Sequence, residues 1–143
     1  MTTLTFTSST LNGDPLFMAL VTGNFTEISR LLKAKTRTER RAFLAKTDYL
    51  GDTPLINASK NAGWAVVHDL LSYGADVNAR NRAGRTALHY AIDRATDVNK
   101  DHAVRNLMAC KADMTIADNN GITAGDLLAA KGYAALATLK AAA

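Results

Sequence analysis

D-Y-L-G-D-T-P-L-I-N-A-S at residues 48–59 is followed by N-R-A-G-R-T-A-L-H-Y-A-I at residues 81–92 and by D-N-N-G-I-T-A-G-D-L-L-A at residues 118–129. Each stretch fits the pattern D/N-x-x-G-x-T, and its glycine recurs at intervals of 33 and 37 residues. A second motif, G-A-D-V-N at residues 74–78, returns 37 residues later as K-A-D-M-T. A repeat near 33 residues indicates a stack of similar structural units.

The residues inside each unit predict two short helices. Thr53 is a suitable N-cap, and Pro54 follows at the first helical position, where its missing N–H costs nothing. Residues 64–72 then place their apolar side chains at helical spacing. Gly74 stands where a helix commonly ends in the left-handed region. The polar, turn-rich residues after it predict a short hairpin, so each unit reads as helix, turn, helix and finger.

The repeat divides the chain into four units of a single domain, roughly 12–47, 48–80, 81–117 and 118–143. We expect the first and last units to be atypical, because each has only one neighbour in a stack.

An insertion lengthens the first unit by six residues. Within this longer segment, Thr38 is predicted to cap a helix that runs to Leu44. Phe43 and Leu44 of this helix are predicted to cover the edge of the stack. The basic side chains of this helix are expected to be exposed and dispensable for folding, because exposed charges contribute only about 0–1 kcal/mol each. They are Arg37, Arg40 and Arg41.

The three repeated stretches resemble ankyrin repeats. T-P-L-I-N-A-S at residues 53–59 and T-A-L-H-Y-A at residues 86–91 are similar to that family's T-P-L-H-x-A signature, and residues 74–79 match its repeat ending. The resemblance covers residues 48–140 well and residues 14–32 weakly. It implies an all-α solenoid of about four helix-turn-helix units with short β-hairpin fingers, and a concave face made of fingers and first helices. It also implies that His89 joins neighbouring units by hydrogen bonds.

Composition excludes several classes of protein. The 143 residues are 48% hydrophobic and 21% charged, as in one globular domain. Charge-free stretches such as residues 15–26 are shorter than the roughly 18–20 apolar residues of a membrane span. No Lys or Arg precedes Arg30, so we expect no signal peptide. A single cysteine, Cys110, excludes an internal disulfide. The expected location is the cytoplasm, without a membrane.

Positive charge is concentrated in one segment. Residues 30–46 hold seven basic side chains and one acid, which is +6 in a chain whose net charge is +4. Such a segment can attract nucleic acid or an acidic protein face. A solvated surface is the favoured interpretation. Phe43 is its only aromatic residue, so a platform for stacking bases is missing.

No catalytic or metal-binding set of residues is recognisable. The histidines His68, His89 and His102 share no ligand spacing, and the chain has no phosphate-binding loop or nucleophile elbow. Cys110 is interpreted as an inert residue packed in a helix, and Trp64 as a cover for the core. We therefore predict a protein that is not an enzyme and needs no cofactor.

In the resembled family, positions at the finger turns and first helices vary and meet ligands. In this chain they predict a partner-binding surface, in which Tyr49, Arg82, Arg85, Tyr90 and Arg94 form the anchoring cluster. The full set is Tyr49, Leu50, Asp52, Lys60, Arg82, Arg85, Tyr90, Asp93, Arg94, Asn119 and Asn120.

The leading hypothesis is a non-enzymatic binding module, monomeric on its own, that holds a partner protein with an acidic patch. An inhibitor or immunity-type role, in which the chain sequesters an enzyme or toxin, is one specific form of it. Two alternatives stay open. One is an assembly adaptor, and the other is a nucleic-acid-binding protein that uses residues 30–46.

Overall fold

The computed structural model describes residues 15–61, 64–97 and 101–133. These residues form eight short α-helices joined by turns. The helices are α1 (Pro15–Thr22), α2 (Phe25–Ala34), α3 (Arg37–Leu44), α4 (Pro54–Lys60), α5 (Trp64–Ser72), α6 (Ala87–Arg94), α7 (His102–Ala109) and α8 (Ala124–Ala130). The last helix of the fourth predicted unit would fall beyond residue 133, outside the described residues.

The helices stack in two rows. The pairs α1–α2, α4–α5 and α6–α7 each pack together, and successive pairs pack on one another. One row contains the first helices α1, α4, α6 and α8, and the other contains α2, α5 and α7. The core between the rows buries large side chains completely, among them Leu55, Leu70 and Leu88. Each such side chain contributes about 1.5–3 kcal/mol. The predicted all-α solenoid is confirmed.

The predicted helix boundaries follow from the caps. Thr53 Oγ1 accepts the N–H of Ile56 at 3.2 Å, and Pro54 opens α4. Thr123 and Asp126 form a reciprocal capping box at the start of α8. Gly74 follows α5 with φ +94°, in the left-handed region where glycine avoids the Cβ clash. These local rules set the starts of α4 and α8 and the end of α5.

The inserted helix α3 starts two residues earlier than predicted. Thr36, not Thr38, is its N-cap: Thr36 Oγ1 accepts the N–H of Glu39, whose carboxylate accepts the N–H of Thr36 at 2.7 Å. This reciprocal box satisfies two donors, whereas a start at Thr38 would leave Glu39 unused. Phe43 is buried and Leu44 is half-buried, as the sequence predicts for the edge of the stack.

Arg40 differs from the predicted exposed cation. Its Nη1 donates to the carbonyls of Leu32 at 3.1 Å and Lys35 at 2.6 Å, and its guanidinium lies 4.4 Å from the ring centroid of Tyr73. The side chain therefore closes the C-terminal end of α2 and joins it to the neighbouring unit. The prediction that Arg40 is an exposed cation is wrong, because a pattern of charges does not show which carbonyls lie within reach.

We expect Arg40→Gln to lower the free energy of unfolding by about 1–2 kcal/mol, since it removes two charge-assisted hydrogen bonds and the contact with Tyr73. Arg37→Gln with Arg41→Gln should change it by less than about 0.5 kcal/mol. Urea unfolding of both variants measures the difference. Equal losses would show that α3 holds its place without Arg40.

Two further side chains depart from the sequence interpretation. Trp64 does not cover the core: 52% of it is exposed, and its ring packs 5.0 Å from the ring of His102 at the outer row. Cys110 is the exposed C-cap of α7 rather than a packed residue. Both stand at helix ends: Trp64 is the first residue of α5, and Cys110 follows the last residue of α7. At such a place a small change in the position of the helix end decides whether a side chain meets the core or solvent.

Candidate functional site

The three finger turns are built in the same way. Each begins with an Asp or Asn whose side-chain oxygen accepts the N–H groups two and four residues later, at 2.9–3.0 Å. These turn-opening residues are Asp48, Asn81 and Asp118. Short Asx side chains mimic the backbone of a turn in this manner. The D/N of the repeated pattern therefore fixes the shape of each finger.

The fingers stand side by side through main-chain hydrogen bonds. Arg82 N–H donates to Leu50 O at 3.0 Å, and Asn119 N–H donates to Ala83 O at the same distance. Asn119 Nδ2 also donates to Arg82 O at 2.7 Å. The predicted hairpins are thus tight turns, with one β-bridge, Ala117 to Thr123, in the described residues. They form a continuous edge along the stack.

Five of the eleven predicted binding residues lie exposed at this edge. Tyr49 and Leu50 are exposed by 51% and 43% respectively, in contrast to the buried core behind them. Arg82 and the two asparagines are exposed in the next two fingers. We call this set the tip residues: Tyr49, Leu50, Arg82, Asn119 and Asn120.

Behind the tips, the predicted residues pair with one another. The Lys60 ammonium forms an ion pair with Asp52, which is buried, and lies 4.6 Å from the ring centroid of Tyr90. Asn81 Nδ2 donates to Asp52 Oδ1 at 2.8 Å and to the Tyr90 hydroxyl at 2.7 Å. Asp52 therefore holds its neighbours in place and cannot itself present a carboxylate to a partner.

Arg85 is the second centre of this arrangement. Its guanidinium pairs with Asp93 at 2.8 Å and with Asp118 at 3.2 Å, and lies 5.0 Å from the ring centroid of Tyr90. Burial opposes its charge, but the hydrogen bonds to Asp93 and Asp118 raise the pKa of Arg85 overall. N–H donation from Ile122, together with Arg85, lowers the pKa of Asp118.

Arg94 is also engaged within the chain. Its Nε donates to Ser59 O and its Nη2 pairs with Asp101, both at 3.2 Å. The predicted anchoring cluster is thus divided: Tyr49 and Arg82 lie at the tips, whereas Arg85, Tyr90 and Arg94 join one unit to the next. Seven of the residues behind the tips contact one another in a single cluster, which we call the polar network: Asp52, Lys60, Asn81, Arg85, Tyr90, Asp93 and Asp118.

Sequence reasoning missed Asn81 as the link of the polar network. It bonds at once to its own finger, to Asp52 of the preceding unit and to Tyr90 of the following helix. The signal was present, because Asn81 is the one Asn among the residues that open the three fingers, and only an amide can donate as well as accept.

His89 has the structural role that the resemblance implied. Its Nδ1 accepts the N–H of Thr86 at 3.0 Å, so its Nε2 carries the proton and donates to Ile122 O in the next unit at 3.0 Å. The ring is completely buried. Burial lowers the pKa of His89, because the charged imidazolium would lose its hydration.

This shift makes stability depend on pH. The folded pKa of His89 lies below its ordinary value of 6.5, so below that value the unfolded chain binds a proton that the folded chain does not. The contribution of His89 is complete above the unfolded pKa and falls as the pH drops toward the folded pKa. Urea unfolding at about pH 7.5 and about pH 5.5, a window above the carboxylate pKa values, should show the loss. His89→Gln, which cannot titrate, should lose less. The same loss in both proteins would contradict this role.

The described residues contain no group of three or more His, Cys, Asp or Glu placed to hold a metal ion. Among the helices of residues 15–61, 64–97 and 101–133, none has both the length and the apolar character to cross a membrane.

Comparison with known proteins gives consistent matches. The family models for ankyrin repeats match residues 65–99, as "Ankyrin repeats (many copies)", and residues 83–119, as "Ankyrin repeat". An ankyrin repeat protein of Acanthamoeba polyphaga mimivirus is 40% identical over 67 residues, which cover 46% of this chain and 9% of that protein. One from Rickettsia bellii is 28% identical over 107 residues, 75% of this chain and 60% of that protein. The chain thus spans less than two thirds of either relative.

Among solved structures, an ankyrin repeat domain from Acinetobacter baumannii is similar, with a TM-score of 0.74 and 26% identity. The match covers 92% of this chain and 66% of that one. The likeness extends over both rows of helices.

Proposed function

Because this chain belongs to the ankyrin-repeat family, we propose that it binds a partner protein through the tip residues, held in place by the polar network. Ankyrin repeats are generally protein–protein interaction modules, and the family is typically non-enzymatic. The observation that carries the proposal is the contrast between the two sets. Cations of the network have carboxylate partners within the chain and are half-buried, whereas Tyr49, Leu50 and Arg82 of the tips are exposed.

The tips favour a partner with a mixed surface. Tyr49 and Leu50 offer exposed apolar area, and aromatic residues are frequent anchors of interfaces. The Arg82 guanidinium can bind a carboxylate with two parallel hydrogen bonds. We therefore propose an acidic patch on the partner opposite Arg82, next to an apolar area that covers Tyr49 and Leu50.

The specific role proposed is that of an inhibitor or immunity-type protein in the cytoplasm, monomeric until it binds. The inhibitor role is supported by the row of tips, which can act by occupying the surface of its partner. The cytoplasmic location is supported by the single cysteine, which suits a reducing compartment. An adaptor that joins two proteins is the alternative. Adding the chain to its partner distinguishes them, since an inhibitor abolishes the partner's activity at one equivalent and an adaptor leaves it intact.

Nucleic acid as the partner has less support. Phe43, the one aromatic residue of segment 30–46, lies on the buried side of α3 and cannot stack on a base. Retention on heparin or DNA should therefore be weak and should disappear at moderate salt. Tight retention with a steep salt dependence would favour this alternative instead.

Affinity capture from extracts of the source cell, read by mass spectrometry, tests the proposal. The bait is the wild-type chain beside two variants that each place a charge at an exposed apolar residue, Leu50→Asp at a tip and Trp64→Asp at the outer row. We expect one protein to be retained by the wild type and by the Trp64 variant, and lost with the Leu50 variant. Equal retention by all three would contradict binding at the tips.

A further inference from the structure

The segment that follows α5, residues 75–80, is covered on one side by its repeat. Residues 112–117 lie along it, 37 positions later in the sequence. Asn78 Oδ1 accepts the N–H of Asp113 at 2.8 Å, and Arg80 Nη2 donates to Ala117 O at 2.9 Å. Neighbouring units thus place these segments, each with a turn at its centre, side by side.

On its other side the same segment faces α3. The first unit has a helix where the next units have this short, turn-containing segment, and a helix does not fill the same space. Two adjoining cavities remain, of about 250 Å³ and about 430 Å³, which share Leu44, Ala45 and Asp76 as walls. We call them together the α3 groove. Its inner part is apolar, between Leu44 and Leu55, and its outer part is lined by Arg37 and Arg41.

Charge in the α3 groove is unbalanced. Arg37 and Arg41 are exposed, and no carboxylate of the described residues pairs with either. The one acid in the wall, Asp76, turns its carboxylate to the N–H of Asn78 at 3.0 Å. Arg40, by contrast, donates from its Nη1 to two carbonyls at the end of α2. The two outer guanidiniums are one helical turn apart, so they point to the same side of α3.

The backbone of the groove also has a free donor. The N–H of Asp113 is bonded to Asn78, but the equivalent N–H of Asp76 has no acceptor among the described residues. In the next repeat that acceptor is a side chain from the segment of the preceding unit, and the first unit has α3 in place of such a segment. The cavities therefore lie where the repeat would place the group that accepts the N–H of Asp76.

We propose that the α3 groove binds an extended acidic segment of a protein, which lies along residues 75–79 in the place of the missing finger segment. It gives an acceptor to the N–H of Asp76 and an apolar side chain to the cavity between Leu44 and Leu55. Its carboxylates pair with Arg37 and Arg41. Those arginines are about 6 Å apart along the helix, and alternate residues of an extended chain are about 6.6 Å apart, so the acids stand at alternate positions. This surface is distinct from the tip residues.

Selection of random eight-residue peptides displayed on phage, against the full chain, tests the proposal. The selected peptides should carry Asp or Glu at alternate positions and an apolar residue beside them. Synthetic copies should bind about tenfold more weakly to Arg37→Gln/Arg41→Gln, since two exposed ion pairs are lost. Arg105→Gln/Lys111→Gln removes the same charge from exposed positions on α7 and in its following turn, and should bind as the wild type does.

Two results would overturn the proposal. One is a set of selected peptides without acidic residues, or peptides that bind both charge variants equally. The other is a short DNA duplex that depends on Arg37 and Arg41 while no peptide does, which would make the groove a nucleic-acid site. Neither result bears on binding at the tips. That proposal is tested with Leu50→Asp, and Leu50 does not line the α3 groove.

Discussion

Gly84→Ala is expected to lower the free energy of unfolding by about 3 kcal/mol, whereas Gly121→Ala should lower it by about 1 kcal/mol. Both glycines have φ close to +77°, where a Cβ is strained, so both variants include that cost. They differ in what surrounds the new atom. A Cβ at Gly84 would lie 2.6 Å from Asn119 Oδ1 and 2.9 Å from the Asn119 backbone nitrogen, but at Gly121 nothing lies within 4 Å.

The additional loss of unfolding free energy at Gly84 measures how much the hydrogen bonds between neighbouring fingers contribute to stability. To admit the methyl group, Asn119 has to move, and its hydrogen bonds to Ala83 O and Arg82 O are then stretched or broken. Each such bond contributes about 1 kcal/mol. Urea unfolding of the two variants gives the comparison directly. If they lose the same stability, the fingers do not support one another.

The double variant Arg85→Ala/Tyr90→Ala should lower the free energy of unfolding by about 3 kcal/mol. Removing Arg85 leaves Asp93 and the buried Asp118 without their cation, and removing Tyr90 leaves Asn81 and Lys60 without the hydroxyl and the ring that they contact. Unpaired groups of this kind are costly because they were desolvated on folding.

A matched pair at the tips provides the control. Tyr49→Ala/Arg82→Ala also removes one tyrosine and one arginine, but from exposed positions, and should change stability by less than about 1 kcal/mol. Thermal unfolding of both double variants measures the difference. A melting temperature for the Arg85/Tyr90 variant as high as that of the control would mean that the polar network does not stabilise the stack.

Local signals in the sequence were enough to predict the repeat. Caps, the left-handed glycine at the end of α5 and the spacing of apolar residues act within a few positions, so the pattern at residues 48–59 carries most of the information about its own unit. His89 was also predictable, because its role belongs to a motif. The cap of α3 was missed by two residues, since Thr36 and Thr38 are equally good caps until Glu39 is considered.

Contacts between units could not be predicted in this way. That Arg85 meets Asp118 33 residues later, or that Arg94 meets Ser59 O, depends on how far each unit rotates on the next. The sequence counted these arginines as available anchors because it shows their charge but not their partners. Trp64 illustrates the same limit, since its exposure depends on the rotation of one helix end.

The most direct test of the account measures the affinity of the captured partner for the variant Tyr49→Ala/Arg82→Ala. Loss of a true anchor costs at least about 2 kcal/mol, so we expect Kd to rise about 30-fold or more. The control Trp64→Ala/Arg105→Ala removes an aromatic residue and an arginine from the outer row and should bind as the wild type does. A folded Tyr49/Arg82 variant that binds its partner with undiminished affinity would contradict the assignment of binding to the tip residues.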